Sequence, residues 1–236
     1  MDRSAVRTVP DVADAVARDL ADAIRDAASR RGRVVLCLAG GATPLPVYRR
    51  LAEAPDLPWG RVWVAWGDER DVPPDHDDRN ERHAREALLD RVPLPEDQVL
   101  AWPWVEDADP ADEAAAYTLR LRRALGDPEA APWFDVVLLG LGADAHTASL
   151  FPGSGATRAG GLAHALRPAG QRHARLTLTP RALSSTRQAW FLVQGEGKRD
   201  ALTRSLAGGD PDELPARTIV PREELRIYTD LQGVAD

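Results

Sequence analysis

Four runs of consecutive apolar residues punctuate the chain, and between them apolar positions recur every three or four residues. The runs are "RVVLCLA" (33–39), "RVWVAW" (61–66), "FDVVLLG" (134–140) and "QAWFLVQ" (188–194). They do not alternate with polar residues, so each is predicted as a parallel strand buried on both faces. Ahead of the first run, Val12, Val16, Leu20, Ile24 and Ala27 mark one face of a helix that Asp11 is placed to cap and that ends near Arg31 and Gly32. Further helical patterns lie at 45–53, 80–90 and 111–125, and shorter strands are expected at Val99–Trp102, Ala174–Thr179 and Leu225–Thr229. The alternation predicts an open, mostly parallel α/β sheet flanked by helices, Rossmann-like, in a single domain over 1–236 with no repeat or linker to divide it.

Composition narrows the class. The 236 residues are 44% hydrophobic, enough for a substantial core, and the single cysteine, Cys37, excludes an internal disulfide framework. The first twenty residues lack the apolar run of a signal peptide, and no run is long enough to span a bilayer, so a cytoplasmic protein is expected, with no membrane partner. A net charge of −7 argues against nucleic acid as a partner. Charge is unevenly placed: from Ala145 to Gly195 there is no Asp or Glu but there are six Arg, at 158, 167, 172, 175, 181 and 187. That segment is either a solvated basic face or a positive field around a small-anion site.

In open α/β sheets ligands bind beyond the carboxyl ends of the strands, so the residues after each strand carry the chemistry. After the first comes "AGGATP" (39–44), where Gly40, Gly41 and Thr43 form a candidate anion cradle without the lysine of a Walker loop. After the second comes "GDERDVPPDHDDRN" (67–80), which puts Asp68 and Arg70 at the crevice and Asn80 at a helix start. Asp75, His76, Asp77 and Asp78 invite a metal reading, but no standard ligand spacing supports it, and neither a metal nor an organic cofactor is expected. The third strand runs into "GLGADAHTASLFPG" (140–153), which matches G-x-G-x-x-[GA] but lacks the following helix and ribose-binding acid of a dinucleotide site. It presents instead Asp144 and His146 on a glycine turn, a candidate acid–base pair. No G-x-S-x-G elbow suggests a serine hydrolase, and Cys37 reads as core. After the fourth strand, Lys198 opens a helix where a cation is unfavourable unless it faces a bound anion.

Together these segments resemble the 6-phosphogluconolactonase family, within the glucosamine-6-phosphate isomerase/deaminase-like superfamily. "LAGGATPLPVYRRL" is similar to its SGGSTP loop, "WGDERDVPPDHDDRN" to its DER segment, and "LLGLGADAHTASLFPG" to its GxGxDGHTASLFPG signature. "RLTLTPRALSSTRQAWFLVQGEGKRDAL" and "LPARTIVP" follow in family order. The resemblance implies a sugar-phosphate isomerase/deaminase-type fold and hydrolysis of 6-phospho-D-glucono-1,5-lactone in the pentose phosphate pathway. In that reaction His146 would activate water, and Arg70 with backbone N–H groups would stabilise negative charge. Asp144 would orient the turn or the imidazole, and Asp68 would orient His146 or bind a sugar hydroxyl. Gly40, Gly41, Thr43 and Lys198 would hold the phosphate. The expected partner is the small-molecule lactone, and the chain is expected to be a monomer or small homo-oligomer.

Three positions depart from the family pattern. Ala145 replaces a glycine, Arg79 a serine before Asn80, and Ser185 an asparagine. A negative φ with an altered turn is expected at Ala145, and Arg79 is expected either to add charge near the crevice or to replace a helix cap. These departures keep a non-catalytic sugar-phosphate sensor as an alternative. An amino-sugar-phosphate deaminase or isomerase would carry Asp-Glu-Tyr and His-Ile-Ala-Phe-Asn-Glu, unlike Glu69-Arg70 and His146-Thr147-Ala148-Ser149.

Overall fold

The computed structural model describes residues 1–234. In chain order its strands and helices are β1 (Val6–Thr8), α1 (Val12–Arg31), β2 (Val34–Leu38), α2 (Leu45–Ala52), β3 (Val62–Trp66), β4 (Asp68–Arg70), α3 (Asn80–Ala87) and β5 (Val99–Leu100). There follow α4 (Pro110–Leu125), β6 (Phe134–Gly140), β7 (Ala163–Leu166), β8 (Arg175–Leu178), α5 (Pro180–Leu183), β9 (Thr186–Val193), α6 (Arg199–Ala207) and β10 (Glu224–Thr229). Seven strands form a parallel sheet in the order β1-β10-β9-β6-β2-β3-β5, and β4, β8 and β7 form a small antiparallel sheet.

The apolar runs become the interior of the large sheet. Every residue of β2 is buried, and β6 and β9 bury most of theirs, as expected of parallel strands covered on both faces. Asp11 caps α1 by accepting the Asp14 N–H, and Gly32 ends it at φ 71°, a left-handed C-cap that glycine adopts without a Cβ penalty. Buried polar groups then fix the strand ends. The Tyr48 hydroxyl both donates to the Ala39 carbonyl (2.7 Å) and accepts from its N–H (3.0 Å), while Trp102 Nε1 and the Tyr117 hydroxyl both donate to the Trp66 carbonyl, each at 3.1 Å.

The order of strands places the crevice. From β2 the chain builds outward through β3 to β5, and from β6 it builds the other way through β9 to β10. The sheet therefore reverses between β2 and β6, which share only the Leu36–Val136 and Cys37–Val137 pairings. Beyond that switch point the two following loops part, opening a cleft at the carboxyl ends.

The second sheet was not anticipated. The sequence pattern assigns no strand to Asp68–Arg70 and no sheet partner to the strand at Ala174–Thr179. In the structure the chain leaves β3 at Gly67, whose carbonyl accepts from the Leu178 N–H (2.8 Å), and pairs as β4 with β8. Three residues is too short a run for alternation to register as a strand. Among the described residues, no helix is long and apolar enough to cross a membrane.

Candidate active site

A crevice of about 320 Å³ lies over the β2–β6 switch point. Gly40, Thr43, Asp68, Arg70, Asn80, His146 and Lys198 all line it, so it gathers residues from four strand ends and from the small sheet. Gly41 and Asp144 are not among its lining residues, contrary to the expectation of a fully shared wall. Gly41 serves the turn, at φ 85°, and Asp144 stands behind the histidine.

The glycine turn after β6 builds the histidine's position. The Gly142 N–H donates to the His146 carbonyl (2.7 Å) and the Ala145 N–H to the Gly142 carbonyl (3.0 Å), closing a tight loop. The Thr147 hydroxyl ties it to the Gly140 carbonyl (2.8 Å). Within it, His146 Nδ1 lies 2.6 Å from Asp144 Oδ1, and the ring stacks obliquely on Phe151 at 4.7 Å between centroids. A Cβ on Gly142 would collide with His146 Nδ1 and Asp144 Oδ1, so glycine is required by close approach. Burial pushes the Asp144 carboxyl up, but the His146 backbone N–H and imidazole outweigh it and hold the group below its ordinary value. An ionised Asp144 on Nδ1 favours the tautomer with its proton there, leaving Nε2 as the basic nitrogen.

Ala145 contradicts the expected negative φ. It sits at φ 73°, buried, in the left-handed region a family glycine would occupy. The turn is preserved and the cost is taken as local strain of about 1–2 kcal/mol.

Asp68 is also placed differently from one expectation. Its Oδ2 accepts from the Ser149 hydroxyl at 2.6 Å, and Asp144, not Asp68, is the partner of His146. Asn80 donates from Nδ2 to the Asp68 carbonyl (3.0 Å), while its buried Oδ1 has no partner and faces Gly40 so closely that a Cβ there would collide.

Arg79 neither charges the crevice nor caps α3. It is fully buried, donates from Nη1 to the Val72 carbonyl (3.0 Å) and from Nη2 to the Trp102 carbonyl (2.6 Å), and lies 3.4 Å from Glu69 Oε2. The capping is done by Glu69, whose carboxylate accepts from the N–H groups of Arg70 (2.8 Å), Asn80 (2.7 Å) and Glu81 (2.9 Å). Burial pushes the Glu69 carboxyl up to about 7 despite Arg79 and those N–H groups. Ser185 lies away from the crevice: its carbonyl accepts from the N–H groups of Trp133 and Phe134, and so anchors the start of β6.

The arginine-rich segment contributes to the site through one residue, Arg175. Arg158, Arg181 and Arg187, half of the six arginines, form salt bridges to Asp212, Glu129 and Glu223 away from the crevice. Arg175 lines the crevice beside Gln171, to which its Nη2 donates (2.7 Å), and its buried Nη1 has no partner. Burial, followed by the charge of Arg70, pulls its guanidinium down from the ordinary value. Lys198 makes no side-chain hydrogen bond or salt bridge among the described residues. The sequence offered only Arg175's place in a predicted strand; its alignment with Arg70 depends on a ladder that spans a hundred residues.

The family profile described as "Glucosamine-6-phosphate isomerases/6-phosphogluconolactonase" matches residues 7–228. A 6-phosphogluconolactonase of a Nostoc species is 39% identical, covering 99% of this chain and 98% of that protein, and one of Mycobacterium tuberculosis is 37% identical, covering 98% of each. The crystal structure of 6-phosphogluconolactonase from Thermotoga maritima superposes with a TM-score of 0.85 at 30% identity, covering 95% of this chain and 98% of that one. The chain belongs to the glucosamine-6-phosphate isomerase/6-phosphogluconolactonase family.

Proposed function

We propose that the chain hydrolyses 6-phospho-D-glucono-1,5-lactone to 6-phosphogluconate in the oxidative pentose phosphate pathway. The observation that carries the mechanism is the His146–Asp144 pair, set on a crevice whose cations Arg70, Arg175 and Lys198 form no salt bridge among the described residues. His146 Nε2 takes a proton from water as the water oxygen attacks the lactone carbonyl carbon. The oxyanion formed is stabilised by the cationic wall and by backbone N–H groups. It collapses with cleavage of the bond to the ring oxygen, which receives the proton from the imidazolium, and the released acid ionises to 6-phosphogluconate. General base catalysis of this kind contributes about 10²–10⁴ in rate. A lactone needs no further activation, so the residues perform the step without a cofactor.

Substrate binding is divided around the base. Lys198, Gly40 and Thr43 stand on the parallel-sheet side, and Arg70 and Arg175 on the small sheet, so the phosphate dianion meets charge from both flanks. Asn80 Oδ1 and Asp68 offer acceptors to sugar hydroxyls. The reason for expecting a non-catalytic sensor falls away, because Ala145 keeps the left-handed turn. We further propose that the chain works as one α/β domain in the cytoplasm, as a monomer or small homo-oligomer. Lactone hydrolysis measured above the spontaneous rate tests the reading; equal turnover of unphosphorylated gluconolactone would overturn it.

A further inference from the structure

The loop between β4 and α3 and the segment leading into β8 bring three metal-binding side chains together outside the crevice. One ligand atom from each of His76, Asp78 and His173 lies within 4.8 Å of the others. His173 Nε2 is 3.0 Å from Asp78 Oδ2, His76 Nδ1 is 4.0 Å from the same oxygen, and the two imidazoles meet edge to face at 5.1 Å. All three are part-exposed, so they are held by the fold and still reachable by an ion.

We propose that His76, Asp78 and His173 form a binding site for a divalent transition metal of the zinc class, clamping the loop before α3 to the segment before β8 at the rim of the crevice.

The donor set decides the class. Two imidazole nitrogens and one carboxylate oxygen suit zinc and its neighbours, whereas calcium and magnesium favour all-oxygen shells. With bonds of about 2.0–2.2 Å, ligand atoms around a tetrahedral ion sit about 3.3 Å apart. The His173–Asp78 edge is already near that length, and the His76–Asp78 edge closes with a shift of under about 1 Å.

Two features oppose binding. His76 Nδ1 accepts the Asp78 N–H at 3.0 Å, a bond given up on coordination, and the Arg70 guanidinium donates to the Asp78 carbonyl, placing a positive charge nearby. The first engages the Nδ1 lone pair until an ion displaces it and the second adds charge repulsion, so both reduce affinity. The missing partner of the acidic run is thus a histidine 95 residues away from Asp78, which no local spacing rule could supply. The inference does not depend on the lactonase reading.

Cobalt(II) added to chelator-treated protein tests it, with the visible absorption of the bound ion as readout and zinc as competitor. The expected result is one saturable cobalt site, displaced by zinc. Its affinity should fall by more than about 100-fold in His76→Ala and in His173→Ala, since even outer-shell partners are worth about 10–100-fold. His146→Ala should retain it. Absence of a saturable site, wild-type affinity in either folded histidine variant, or loss confined to His146→Ala would overturn the proposal. Asp78→Asn, judged for folding by circular dichroism, replaces any variant that fails to fold and should lose the site equally.

Discussion

Arg70 and Arg175 stand directly opposite one another on the β4–β8 ladder, and neither forms a salt bridge among the described residues. Like charges at opposed positions destabilise a sheet, and Arg175 Nη1 is in addition buried without a partner. A bound anion relieves both penalties. Inorganic phosphate is therefore expected to raise the melting temperature of the wild type, and to do so much less for Arg175→Met. In kinetics Arg175→Ala should raise KM by about 10-fold or more, the worth of a charged hydrogen bond, with Arg175→Lys intermediate. An unchanged KM in the alanine variant would remove Arg175 from the binding site.

The base should be separable from the anion holders. His146→Ala is expected to lower kcat by about 10²–10⁴ while phosphate still stabilises the variant. Gly142→Ala should resemble it, because the added methyl displaces the imidazole and its carboxylate together. Asp144→Asn, which keeps the shape but weakens the hold on Nδ1, should lower kcat more than it changes KM. Near-normal kcat in His146→Ala, after subtraction of the spontaneous reaction, would exclude this base.

At Ala145 the expected gain is in stability. Glycine removes a left-handed alanine costing about 1–2 kcal/mol but adds freedom to the unfolded chain worth about 0.4–1 kcal/mol. Ala145→Gly should thus stabilise by up to about 1.6 kcal/mol, read from denaturant midpoints. Turnover should change little, since the turn already has its shape.

Glu69 and Arg79 predict a pH effect. The folded Glu69 pKa of about 7 lies above its ordinary 4.5, so the folded state holds this proton more tightly than the unfolded chain. The stabilisation is complete below about 4.5 and is lost as pH rises through about 7. The difference in melting temperature between wild type and Glu69→Gln should therefore change across that window and level off beyond it. Removing the buried cation is more severe: Arg79→Ala leaves Glu69 uncompensated and should cost about 3–5 kcal/mol. A loss within experimental error would mean that the two charges are not coupled.

The central strands β2, β3, β6 and β9 were legible because they are apolar runs, and α1 because Asp11 and Gly32 mark both ends; the edge strand β1, three residues of which two are exposed, carries no such pattern and was not predicted. His146, Arg70 and Lys198 were legible because each directly follows such a strand or opens a helix after one. Arg175, the Glu69 cap and the burial of Arg79 were not, since each depends on the β4–β8 pairing or on contacts across the fold that leave no periodic trace. Ala145 was misread for a different reason: backbone preference is a weak prior, and the four hydrogen-bonded groups of the turn override it.

Where the chain leaves β3, a single residue, Gly67, separates the large sheet from β4 of the small antiparallel one. Under the proposed assignment, proton transfer resides on the loop after β6 while much of the anion recognition rides on β4 and β8. Descent with modification can then recut the choice of substrate by altering the arginines of the appended sheet while sparing the imidazole and its carboxylate, the two parts of the crevice meeting where Ser149 donates to Asp68.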